Sequence, residues 1–275
     1  MIEAGATLGQ VRLSLPLDPL ENRILLCHAL RLPRVALITQ SERVLTHEEA
    51  ALLDTLVRRR LDGEPIAYIV GEREFFGLPF KVSPAVLIPR PDTELIVELA
   101  LERMATGQRV LDMGTGSGAI AVSIACTRPD AEVTALDVSD DALEIARANA
   151  AANGARVRFL RSDWYAALDG ERFHLIVSNP PYIVGGDRHL GEGDLRFEPV
   201  DALTDHADGL SDLRTIVDGA AAHLEDGGWL LLEHGYDQAG AVRAMLQAHG
   251  FSDVQSWRDL AGIERVSGGR RATAA

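Results

Sequence analysis

The stretch "VLDMGTGSGAIAVSIA" (residues 110–125) decides the architecture. An apolar run reaches Asp112, glycines follow at Gly114, Gly116 and Gly118, and a second apolar run opens at Ala119. Glycines bend the backbone sharply and let a ligand come against the N–H groups of a helix start, so the stretch reads as strand, turn, helix. A second strand ends in "VTALDVS" at Asp137, where one carboxylate can accept both hydroxyls of a ribose. With Ala119 in the third slot the turn also satisfies the dinucleotide fingerprint G-x-G-x-x-A. The glycines therefore specify a nucleoside, not which one.

The pattern continues outward from this turn. Strands are predicted at 109–113, 132–138, 157–162, 173–178, 229–234, 251–257 and 264–267, with helices at about 94–105, 118–127, 140–152, 212–224 and 238–248. Strands alternating with helices imply a parallel, doubly wound α/β sheet. The last two strands leave no room for a helix between them and should form an antiparallel hairpin at the edge. Residues 1–64 read as helices only. "DPLENRILLCHAL" carries an Asp18 cap with Ile24, Leu25, His28 and Leu30 along it. "THEEAALLDTLVRRRLDG" opens on a capping box, Thr46 with Glu49, and carries a stripe of Leu52, Leu53, Leu56 and Val57. Arg58, Arg59 and Arg60 read as a solvated helix end. Between the two regions, short β-prone runs broken by Gly77, Pro79, Pro84, Pro89 and Pro91 read as a hairpin and stiff connector. The expected domains are 1–64, a connector at 65–93, and 94–275.

Composition narrows the function. Formal net charge is −14, and residues 1–64 hold 8 Arg against 9 acids, so the excess acid lies later. A protein built to grip duplex phosphate needs a basic face, so direct nucleic-acid binding is not expected. No apolar run is long enough for a transmembrane helix and no secretory signal precedes the first helix, so no membrane association is expected. Cys27 and Cys126 are too few for a disulfide framework or Cys-rich metal site. His189, His206 and His234 lack ligand spacing and read as surface or packing residues. The expected setting is cytoplasmic, without a metal.

Two details favour S-adenosyl-L-methionine over a dinucleotide. Asp112 stands where a pyrophosphate would lie; a carboxylate there repels phosphate and suits an ammonium group. The third strand ends in "RSDW", placing Asp163 and Trp164 at the same sheet edge, an acid for an adenine amino group and an indole to cover an apolar face. Candidate cofactor-binding residues on this reading are Asp112, Gly114, Gly116, Gly118, Asp137, Asp163 and Trp164.

The fourth strand runs into "SNPPY", and proline cannot donate to a sheet ladder. The strand must stop and deliver Asn179, a rigid turn and Tyr182 to the crevice beside the glycines. An amide or adenine nitrogen is a poor nucleophile because its lone pair is delocalised. Asn179 Oδ1 and the Pro180 carbonyl, each accepting one of its N–H bonds, would draw it toward tetrahedral geometry while Tyr182 stacks on the flat group. Asn179, Pro180 and Tyr182 are the candidate catalytic residues, and they also hold the substrate group.

"GTGSG", Asp137, "SDWY" and "NPPYI" together resemble the Rossmann-like S-adenosylmethionine-dependent amino methyltransferases. "LIPRPDTE", "FEP", "LLLEHG" and the helical N-terminal region resemble the HemK/PrmC release factor glutamine methyltransferases. That resemblance implies a Rossmann-like seven-stranded methyltransferase sheet with a small helical domain and a hairpin connector. It also implies N5-methylation of the glutamine in the Gly-Gly-Gln loop of class I peptide chain release factors, docked in part by the N-terminal helices. Carried over by the resemblance, Thr115 and Ser117 join Gly114, Gly116, Gly118, Asp137 and Trp164 as cofactor contacts, Asn179 touches both cofactor and substrate, and Pro181 joins Asn179, Pro180 and Tyr182 as the substrate-binding set. "PRPDTE" (89–94) reads equally as a lining of the active-site approach or as a rigid connector and cap. The long 183–210 loop with Phe197-Glu198-Pro199 reads as a substrate lid. A ribosomal protein glutamine methyltransferase shares most of these motifs. An adenine-N6 methyltransferase shares the chemistry but needs a basic recognition region, and a dehydrogenase leaves the prolines unexplained.

Overall fold

The computed structural model describes Ile2 and residues 5–273. It divides into two units, 1–71 and 72–275. In the first, helices α1 (Leu8–Ser14), α2 (Pro19–Leu30), α3 (Ala36–Thr39), α4 (His47–Leu61) and α5 (Ile66–Val70) enclose a core around Leu8, Leu25, Leu26 and Leu53. The expected caps form: Asp18 Oδ1 accepts from Leu20 N at 2.7 Å, and Thr46 and Glu49 close a capping box. Leu52 and His28 face solvent instead of the core, and Ala50 joins Leu53, Leu56 and Val57 as the buried stripe of α4. The arginine run is less free than expected: Arg59 pairs with Glu64, and Arg60 Nε donates to Glu21 Oε1 of α2 at 2.9 Å. The unit also extends past the expected boundary at 64. Ile66–Val70, β-prone by composition, forms a helix because Pro65 starts it, Gly71 ends it in the left-handed region, and Ala67, Tyr68 and Ile69 are buried.

The second unit opens with the expected hairpin, β1 (Glu72–Phe75) antiparallel to β2 (Leu78–Lys81). Then follow α6 (Glu94–Arg103), β3 (Arg109–Met113), α7 (Ala119–Thr127), β4 (Glu132–Asp137), α8 (Asp140–Ala152), β5 (Val157–Arg161) and β6 (Phe173–Ser178). The chain ends with α9 (Ser211–His223), β7 (Leu224–Glu233), α10 (Ala239–Ala248), β8 (Phe251–Arg258) and β9 (Glu264–Arg271). The seven strands lie in the order β5-β4-β3-β6-β7-β9-β8, parallel except for β9, which runs antiparallel to both neighbours. Strand periodicity sorts the core onto two faces. Val110, Leu175, Val177 and Leu231 pack with α6 and α7; Leu111, Ile176, Leu230 and Leu232 pack with α9 and α10.

Two strands outrun their expected ends. β7 starts at Leu224, paired with Phe173 across a register irregularity before regular pairing resumes at Trp229. β9 continues through Gly268 and Gly269, where the backbone has no room for side chains: a Cβ on Gly268 would stand 2.5 Å from the Leu230 carbonyl oxygen. The 183–210 segment is not structureless, for it holds three short 3₁₀ helices at Arg188–Gly191, Gly193–Phe197 and Val200–Ala202. No helix among the described residues is long and apolar enough to cross a membrane.

Candidate active site

Parallel registers bring four strand ends into one row. Met113 pairs with Leu136 of β4 and Ser178 of β6, and Ser178 pairs with Leu232 of β7. One residue further on, Gly114, Asp137, Asn179 and Glu233 stand level along the carboxyl edge. The winding direction reverses between β3 and β6, the position at which open α/β sheets bind ligands.

The glycine turn is braced from below and from the side. Asp112 Oδ2 accepts from Thr115 Oγ1 at 2.6 Å and from Ala121 N at 3.2 Å, while its buried Oδ1 has no partner. Burial pushes this carboxyl up to about 7, against the pull of those two hydrogen bonds. Asp137 Oδ2 accepts from Gly116 N and its Oδ1 from Ser139 N, both at 2.9 Å. Burial raises this carboxyl too, opposed by backbone N–H groups. Gly118 caps α7 at φ +82°, and a Cβ there would lie 3.2 Å from that of Ala146, so the third glycine permits α7 to pack on α8. Asn149 of α8 donates to the Ser117 carbonyl at 2.8 Å and exchanges hydrogen bonds with Lys81, tying turn, helix and hairpin together.

Trp164 has left-handed backbone (φ +42°), and its ring would stand 3.8 Å from a Cβ on Gly114. Asp212 has a carboxyl raised mainly by burial, an effect that the Trp164 side chain opposes. Asp163 is exposed beside Trp164. Thr115 and Ser117 are buried in the turn.

Around the prolines, Asn179 Nδ2 donates to Thr93 Oγ1 at 3.3 Å. Glu233 is buried, and its Oε2 has no partner. Burial pushes Glu233 up to about 7; the Thr93 side chain opposes the shift, Asp92 adds to it, and Arg265 and the Asn179 side chain oppose it. Among the described residues, neither Asn179 Oδ1 nor the Pro180 carbonyl accepts a hydrogen bond. Burial also raises the Tyr182 hydroxyl, with Glu233 adding to the effect. The Tyr182 carbonyl is held by Gln238 Nε2 at 3.0 Å, and Gly209 leaves room for that bond: its Cβ would lie 2.5 Å from the same oxygen.

The expected residues thus gather along the carboxyl edge of the sheet, with two refinements. Asp112 lies wholly buried under the turn, and Thr115 acts on Asp112. Thr93 and Glu233 carry no assigned role in the sequence reading, although both fall in quoted stretches. The available signal for Glu233 is an acid closing an otherwise apolar strand, "WLLLE", at the functional edge. "PRPDTE" belongs to the site through Thr93. Glu198 is buried, accepts from Ile88 N at 3.0 Å and pairs with Arg90, so the 183–210 segment is clamped to residues 88–90. His234 packs in the interior against Ser267 at 2.7 Å, whereas His189 and His206 are exposed.

A nucleoside turn, a strand-end acid and an Asn-Pro-Pro-Tyr corner on a seven-stranded sheet define an S-adenosyl-L-methionine-dependent methyltransferase. Residues 91–192 match the methyltransferase small domain model, and a methyltransferase from Pyrococcus furiosus shares the fold, with a TM-score of 0.55 at 23% identity over 78% of this chain and 97% of that one. Residues 4–71 match the PrmC N-terminal domain. Release factor glutamine methyltransferases from Burkholderia pseudomallei and Neisseria gonorrhoeae are 58% and 52% identical, covering 96% and 92% of this chain and 96% and 94% of theirs. The chain belongs to the release factor glutamine methyltransferase family.

Proposed function

We propose that Asn179, Pro180, Pro181 and Tyr182 hold the side-chain amide of the glutamine in the Gly-Gly-Gln motif of class I peptide chain release factors for methylation at N5. One observation carries the reading: Asn179 Oδ1 and the Pro180 carbonyl are neighbouring acceptors left without partners, opposite a turn built for a nucleoside. A planar –NH2 offers two donors to match. Holding both N–H bonds frees the nitrogen lone pair, and the Tyr182 ring covers the flat group. The cofactor supplies an electrophilic methyl group on a sulfonium sulfur. Once methylated, the amide nitrogen is strongly acidic and loses its proton through a hydrogen bond it already makes, so no strong base is needed.

The residues present fit S-adenosyl-L-methionine. The unpartnered Asp112 Oδ1 provides negative charge beneath the turn for an ammonium group, and Asp137 stands at the end of β4 beside the turn, its carboxylate on the Gly116 N–H, where a ribose would lie. In this reading Gly114, Thr115, Gly116, Ser117 and Gly118 line the cofactor, Asp137 accepts from the ribose, and Asp163 with Trp164 flanks the base. Replacing Asp137 by alanine is expected to weaken cofactor binding at least about tenfold, since charge-assisted hydrogen bonds contribute roughly 1.5–3 kcal/mol. Calorimetry on the folded variant checks it; unchanged affinity would remove Asp137 from the site.

The helical unit serves recognition of the protein substrate, and the acidic chain works in the cytoplasm without gripping nucleic acid or membrane. A chain beginning at Glu72 is expected to keep cofactor binding and lose most turnover of intact release factor. Equal turnover by a folded truncated enzyme would sink the docking role.

A further inference from the structure

We infer that Glu233 is a positioning residue that sets which way the Asn179 amide points. This rests on the reading that Asn179 Oδ1 receives the substrate amide. A side-chain amide has two orientations of nearly identical shape, with oxygen and nitrogen exchanged, and its surroundings choose between them. Here two neighbours make the choice. Thr93 Oγ1 accepts from Asn179 Nδ2 at 3.3 Å. Glu233 follows Leu232, the partner of Ser178 across β6 and β7, so it stands level with Asn179, and the Thr93 and Asn179 side chains both favour its ionised form. With the N–H edge of Asn179 turned to these two groups, Oδ1 remains for the substrate. Flipping the amide would turn Oδ1 toward the carboxylate, setting one acceptor against another.

Of the three groups, only Glu233 in its ionised form, which both neighbours favour, can impose this polarity. Asn179 and Thr93 each both donate and accept, so a neutral pair could settle either way; a carboxylate only accepts. Packing does not account for the acid. It follows Leu230, Leu231 and Leu232 into the interior, is 2% exposed, and leaves Oε2 buried without a partner. A buried carboxyl incompletely paired costs stability that an apolar residue in this strand would not.

A double-mutant cycle tests the inference. Single-turnover methylation of an intact class I release factor is measured at saturating S-adenosyl-L-methionine for wild type, Glu233→Ala, Asn179→Ala and the double variant. Glu233→Ala is expected to slow transfer by roughly 10- to 100-fold with cofactor affinity little changed, and to cost nothing further once Asn179 is alanine. Glu233→Gln, which keeps the shape and one acceptor oxygen, should recover part of the loss. If Glu233→Ala does not fold, Glu233→Gln carries the cycle, its smaller deficit again vanishing beside Asn179→Ala. A wild-type rate in the tested Glu233 variant, losses that multiply in the double variant, or a deficit confined to cofactor affinity would each overturn the inference and leave the substrate reading standing. Wild-type transfer by Asn179→Ala would instead overturn the substrate reading, and this inference with it.

Discussion

Replacing Asn179 by alanine is expected to slow methyl transfer by roughly 100- to 1000-fold, about 2.7–4 kcal/mol, while the fold and most of the cofactor affinity persist. The size follows from when the side chain acts. Its oxygen accepts an N–H whose acidity rises as the methyl group arrives, so the interaction strengthens toward the transition state and adds little to binding. The fold should survive because β6 ends at Ser178, and the turn beyond it is stiffened by Pro180 and Pro181 and pinned through the Tyr182 carbonyl. Asn179→Asp is the sharper comparison. It keeps an acceptor of similar size but removes the N–H that Thr93 accepts, and it sets a second carboxyl level with Glu233. Added charge beside a sulfonium also stabilises the ground state and loses its partner as the methyl leaves. Activity should therefore stay low. Single-turnover rates with release factor at saturating cofactor decide the matter; wild-type transfer by the alanine variant would reduce Asn179 to a turn residue.

The parts of this site written in local pattern are legible in the sequence. β3 and β6 fall where predicted because apolar alternation is cut by glycine at 114 and proline at 180, and backbone chemistry allows little else. Asp137 is readable because the Ser139 cap and the acids that open α8 leave β4 no room to continue. What could not be read locally is who meets whom. Asn179 and Thr93 lie 86 residues apart, and Ile88 and Glu198 lie 110 apart. Only the packing of α6, which starts just after Thr93, on β6 and β7 brings the first pair together, and only the path of the 183–210 segment brings the second. Glu233 escaped because an acid at a strand end looks like ordinary solvation until the register puts it level with Asn179. The helix at Ile66–Val70 escaped for the opposite reason: burial of Ala67, Tyr68 and Ile69 overrides the β preference of its composition.

Affinity for S-adenosyl-L-methionine is expected to fall as the pH drops below about 7, by at most about tenfold per pH unit. The reason is Asp112. Its Oδ2 is committed to Thr115 and Ala121, its Oδ1 has no partner, and burial holds the carboxyl up near 7, so in the ligand-free protein it is protonated in mild acid. An ammonium group above the turn favours the ionised form, so binding below that pH must expel a proton, and each unit of acidity opposes it. The sign for stability is opposite. The folded carboxyl sits above its unfolded value of about 3.9, so the ligand-free protein loses stability as pH rises from about 4 and bears the full cost above about 7. Melting temperature without cofactor should therefore decline from pH 5 to 8, while the stabilisation gained on adding cofactor grows. Asp112→Asn should flatten its share of both trends. Glu233 is raised to about 7 as well, so Glu233→Gln serves as the control that separates the two groups. Calorimetry near pH 6 in two buffers of different ionisation enthalpy counts the proton directly, with close to one released by wild type and markedly less by Asp112→Asn. Equal heats in both buffers would mean that Asp112 only braces the turn, and that the charge facing the ammonium group comes from elsewhere along the edge.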